Sequence, residues 1–79
     1  MDQVNHSARN QGRLSAKLTL DEVANTASGA GAVAALIRIL GAEKVARLFG
    51  LDATEGEAWD AALRDYAEAF TETLREAAR

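Results

Sequence analysis

The sequence predicts an all-α protein, a compact array of about four helices, and three observations carry that expectation. Eighteen of the 79 residues are alanine and none is proline, the best and the worst helix formers respectively. Apolar residues recur at i, i+3, i+4 and i+7, the spacing of one helix face. Glycines and a Thr-x-x-Glu box punctuate the chain where helices should stop and start.

Residues 1–17 (MDQVNHSARNQGRLSAK) are polar, with isolated Val4 and Leu14. They hold too little apolar surface to offset their ordering entropy, so we expect a flexible basic tail there. A single helical domain is then expected over 18–79. Its first helix should span 20–28, because Thr19 and Glu22 have capping-box spacing while Leu18 and Val23 stand at the two positions of a hydrophobic staple. Val23, Ala24 and Ala27 would face inward.

Ser28-Gly29-Ala30-Gly31 should end that helix. A second is expected over 30–40, with Val33, Leu36, Ile37 and Leu40 in register and Ile39 and alanines on the other faces. A helix apolar all round is usually buried, which predicts a central position. Gly41 should end it. A third helix is expected over 42–49, with Val45, Leu48 and Phe49 inward and Gly50 as a left-handed stop; Leu51 then stands at the apolar position of a Schellman motif. The last helix is expected over 54–77, capped by Asp52 or Thr54. Trp59, Leu63, Tyr66, Phe70 and Leu74 form its amphipathic stripe, which holds three of the four aromatics and should pack across the second helix.

Composition narrows the function. A domain this small is marginal without a disulfide, a metal or a partner subunit. The chain has no cysteine and one histidine, His6, so disulfides, thiolate metal sites and a clustered imidazole site are excluded within one chain. A homo-oligomer or a stable protein partner is the expected remaining support. No Ser/His or Cys/His pairing is available for catalysis, and the carboxylates fall on a solvated helix with no evident cause for a pKa shift. We therefore expect a protein that is not an enzyme and takes no cofactor, metal or small-molecule substrate. The first 18 residues lack the roughly 7–15-residue apolar run of a signal peptide. Ala30 to Ala42 is too short to span a membrane and contains Arg38. A cytoplasmic protein is expected. Seven arginines against two lysines, with the alanine excess, suggest a GC-rich bacterial or phage genome.

The net charge of −3 is unevenly spread. Residues 1–20 carry +2, residues 21–51 balance, and residues 52–79 carry −5. Arg9, Arg13 and Lys17, with Arg38, are the candidate electrostatic contacts, while the acidic last helix argues against that half lying on nucleic acid.

Two motifs need weighing. Gly29-Ala-Gly31-Ala-Val-Ala34 has the G-x-G-x-x-A spacing of a dinucleotide loop, but that chemistry requires a preceding strand, and the residues before it read as helix. Small residues permitting a close helix crossing are the simpler reading. Thr19-Leu-Asp-Glu-Val-Ala24-Asn-Thr-Ala27 resembles the opening of the helix-turn-helix in repressors of the lactose-repressor family. The resemblance covers nine residues and implies a following helix whose polar side chains read base edges; here the next helix offers Arg38 alone. A second helix-turn-helix spacing, Ala46 with Gly50, would lead into Glu55, Glu57 and Asp60, the wrong sign for phosphate. The aromatic stripe is read first as core and second as a candidate interface. These weights favour a small protein-interaction module (regulator, adaptor or inhibitor), with a helix-turn-helix DNA-binding regulator as the alternative.

Overall fold

The computed structural model describes residues 5–22 and 29–77, with the backbone alone at 19–22. Among the described residues it is all-α: α1 His6–Glu22, α2 Gly29–Leu40, α3 Ala42–Leu48 and α4 Glu57–Ala77. The four helices form a flat body of 35 × 30 × 15 Å.

The largest departure from expectation is at the N-terminus. Residues 6–17 are not a tail but the greater part of α1. Asn5 caps the helix, its side-chain oxygen accepting the Ala8 N–H at 2.8 Å. It also fixes the helix to its neighbours: the Asn5 N–H donates to Asp65 Oδ2 at 2.8 Å and its Nδ2 donates to the Phe49 carbonyl at 3.0 Å. Ala8, Gly12 and Ala16, four residues apart, are the buried positions of α1. Small side chains bring this helix backbone close to its neighbour, so close packing takes the place of large apolar residues on that face. Thr19 and Glu22 lie in the last turns of α1 rather than at a helix start. The rest of the helix expected over 20–28, with Val23, Ala24 and Ala27, lies outside the described residues.

α4 occupies the centre, not α2. The α1–α4 contact is the most extensive in the molecule, followed by α2 against α4. Two glycines set these crossings. A Cβ at Gly12 would meet the Tyr66 carbonyl oxygen, with Ala69 Cβ and Phe70 N at 3.2 Å. One at Gly29 would meet the Ala67 carbonyl, with Thr71 Oγ1 at 2.8 Å. The residues met by Gly12 and by Gly29 occupy different faces of α4, so α1 and α2 flank it. α2 spans the expected residues, yet only Gly29 and Ala32 are fully buried in it.

The punctuation between α2 and α3 is as expected. Gly41 (φ 89°) donates its N–H to the Ile37 carbonyl at 2.8 Å, and its own carbonyl accepts the Val45 N–H at 3.2 Å. α3 ends in a Schellman motif: Leu51 N–H reaches the Ala46 carbonyl at 2.8 Å and Gly50 N–H reaches Arg47 at 3.0 Å, with Leu51 packed against the core. α4 starts at Glu57 instead of Thr54, and neither Asp52 nor Thr54 caps it. Gly56 (φ 102°) takes the capping position, its carbonyl accepting the Asp60 N–H at 3.0 Å. A helix begun at Thr54 would hold Gly56 in its first turn, where glycine is unfavourable. Used as the cap instead, it gives the chain a left-handed turn into α4.

The core gathers Val45 and Phe49 from α3 and its C-terminal turn with Trp59, Ala62, Tyr66 and Phe70 of α4. Phe49 lies between two aromatic partners, its ring centroid 6.4 Å from Trp59 and 5.8 Å from Tyr66. Tyr66 in turn stacks on Phe70 at 6.4 Å. Such pairs add about 0.5–1.5 kcal/mol each beyond burial.

Candidate interaction surface

Of the five residues in the candidate aromatic interface, Trp59, Tyr66 and Phe70 are buried within the single chain, while Leu63 and Leu74 pack against them half-buried. The stripe is internal core and displays no aromatic side chain on the surface.

Among the described residues, Tyr66 is a buried titratable group whose equilibrium is displaced. Burial pushes its phenol above the usual 10.0, and its hydrogen bond to Ser15 pulls the other way. That bond, Tyr66 Oη donating to Ser15 Oγ at 2.7 Å, ties α4 to α1. It is a structural link between the two helices.

The four candidate cations are not gathered into one cluster. Arg9 is committed within the fold, its guanidinium 2.7 Å from Glu72 and 3.9 Å from Glu68. Arg13 and Lys17 lie one turn apart on the exposed side of α1, and Arg38 is exposed on α2. None of these three makes an ion pair with a described residue. Among the described residues, no three His, Cys, Asp or Glu side chains come together as metal ligands. An open hollow beside α3, lined by Glu43, Arg47, Leu51, Asp52, Thr54 and Glu55, is walled by side chains that mostly face solvent. Its charges are therefore not desolvated.

What the surface does offer is apolar. Ile39 is 77% exposed and Leu18 72%, followed by Leu14 at 53%. Leu14 and Leu18 are one turn apart on the side of α1 roughly opposite its Ala8–Gly12–Ala16 stripe. Around α2, Ala30, Gly31, Ala34, Arg38 and Ile39 are all exposed. The sequence does not reveal this surface, because a helix apolar on every side reads as buried on every side. The signal was present in the pattern: twelve residues (GAGAVAALIRIL) with Arg38 as the sole charged side chain. No described helix is long and apolar enough to cross a membrane, so the patch is not part of a spanning segment. No known protein family, curated protein or solved structure matches this chain.

Proposed function

We propose that this chain is a small non-enzymatic interaction module, a regulator, adaptor or inhibitor that acts by laying helical surface against a protein, a second copy of itself included. The carrying observation is the outward side of α2, where Ala30, Gly31, Ala34 and the 77% exposed Ile39 leave Arg38 as the single charge, on a chain whose aromatic stripe is already spent on its own core. A surface helix ordinarily turns polar residues to solvent, and large apolar surface left exposed marks sites of association. The same proposal places the chain in the cytoplasm and, from its alanine and arginine bias, in a bacterium or phage.

Affinity capture with the intact chain, beside Ile39→Asp and Leu18→Asp variants, tests this reading. A specifically retained protein, or the chain itself, should be lost with one variant at least. Identical retention by all three would show that neither apolar surface docks anything. DNA binding through helix-turn-helix geometry is the second reading, favoured by the exposed Arg13 and Lys17 but weakened by the loss of Arg9 to Glu72. It requires salt-dependent retention on random-sequence duplex that falls when Arg13 and Lys17 are replaced by glutamate.

A further inference from the structure

Resting on the interaction-module reading, we infer that the outward side of α1 docks an acidic amphipathic helix of a partner protein. Its apolar residues meet Leu14 and Leu18, and its carboxylates meet Arg13 and Lys17. Leu14 is 53% and Leu18 72% exposed, and the two cations beside them are exposed as well. Positions four apart share a helix face and stand about 6 Å apart along the axis, so these side chains form two parallel rows. One row is apolar (Leu14, Leu18) and the other cationic (Arg13, Lys17). One helix reads another through this layout, with apolar residues in the seam and charges along its edge.

Charge decides what fits the face. Between His6 and Leu18 no side chain is acidic, and neither Arg13 nor Lys17 makes an ion pair with a described residue. Arg9, one turn before Arg13, is already held by Glu72 and Glu68. The exposed charges of α4 are five acids and two arginines, so an acidic partner is repelled there and drawn to α1. A lipid surface also takes leucines beside cations. Here, however, the apolar row is two residues long, and a broad anionic sheet would meet the exposed Glu68 and Glu72 around Arg9. A single helix about 10 Å across can follow the Leu14–Leu18 row away from them. The exposed side of α2 gives no such direction, with Arg38 as its sole charge. Two apolar contacts and two exposed ion pairs make the association weak and salt-sensitive.

The probe is a synthetic helical peptide of about 20 residues, with leucines at helical spacing and glutamates flanking them; its twin carries lysine for every glutamate. Titrated into the isotope-labelled full chain, the acidic peptide should shift the amide signals of residues 13–18 with a Kd of about 10–100 μM. The lysine twin should shift none of them. Raising the salt from about 0.05 to 0.3 M should weaken binding roughly fivefold. Arg13→Glu with Lys17→Glu should reverse the preference between the peptides, and Leu14→Ser with Leu18→Ser should weaken binding of the acidic one about tenfold. All four positions are exposed, so circular dichroism should show that the variants fold. Absence of shifts in residues 13–18 overturns the inference, as does a preference that charge reversal leaves unchanged. Binding to vesicles of roughly 30% phosphatidylserine without binding to the acidic peptide also overturns it, in favour of a lipid surface. A protein captured through Ile39 but indifferent to Arg13, Lys17 and Leu18 overturns this placement while leaving the interaction-module reading intact.

Discussion

Tyr66 shows how one side chain links three parts of this fold. Its ring stacks on Phe70 within α4 and meets Phe49 at the end of α3, and its hydroxyl reaches Ser15 on α1. The phenol is held above its usual 10.0 mainly because burial disfavours the phenolate. A raised folded-state value means that the unfolded chain releases this proton first as pH rises. Its contribution is therefore fully present below about pH 10 and is lost as pH climbs through the folded-state value. Tyr66→Phe should cost about 0.5–1.5 kcal/mol at neutral pH, the worth of an ordinary hydrogen bond. It should also remove part of the alkaline decline. Urea unfolding of both proteins from pH 8 to 11 gives the difference directly. A wild-type advantage that stays constant across that range would show that Tyr66 ionisation is not linked to folding.

At the scale of the helix, the α1–α4 crossing turns on Gly12. Alanine there would gain roughly 0.8–1.0 kcal/mol in helix propensity, but its Cβ would press on the Tyr66 carbonyl and lie 3.2 Å from Ala69 Cβ. These obstacles are backbone and a short side chain, neither free to swing aside, so overpacking at about 1–3 kcal/mol should prevail. At ~4–8 °C per kcal/mol for a domain of this size, Gly12→Ala should melt several degrees lower by circular dichroism; a higher melting point would show that the helices part without strain. The same residue explains why α1 was not legible. Helices declare themselves through large apolar residues at helical spacing, as α4 does with Trp59, Tyr66 and Phe70. α1 buries Ala8, Gly12 and Ala16, which add little hydropathy while allowing close approach, and its larger Leu14 and Leu18 face solvent. The Thr19–Glu22 spacing was misleading because a capping box works only where the preceding chain leaves the helix, and here the cap is Asn5. Gly41 and Gly50 were legible because a positive φ is a local requirement that distant packing seldom overrides. The candidate surface was half legible: α2 stood out as apolar, but which of its sides would remain uncovered depends on α4 taking the centre.

For the whole molecule, the two accounts of the N-terminus predict opposite results when residues 1–17 are removed. A flexible basic tail could be lost with no change beyond charge, leaving 18–79 at −5. The fold gives those residues a different standing. They supply the Asn5 bonds to Asp65 and Phe49, the Arg9 pair with Glu72, the Ser15 bond to Tyr66, and the Ala8, Gly12 and Ala16 backbone that covers one face of α4. Without them the central helix would lose one of its two flanks, and Tyr66, Ala69 and Phe70, now almost fully buried, would face water. Domains of this kind have a total stability of about 5–15 kcal/mol, and truncating even one large core residue costs about 2–5 kcal/mol. Exposing two aromatics and deleting a helix together should exceed what the remaining three helices supply. The chain of residues 18–79 should show weak helicity and no cooperative thermal transition, with the full-length protein measured beside it at equal concentration so that self-association affects both alike. A truncated chain melting cooperatively at the full-length midpoint would mean that α1 contributes nothing to the core it covers.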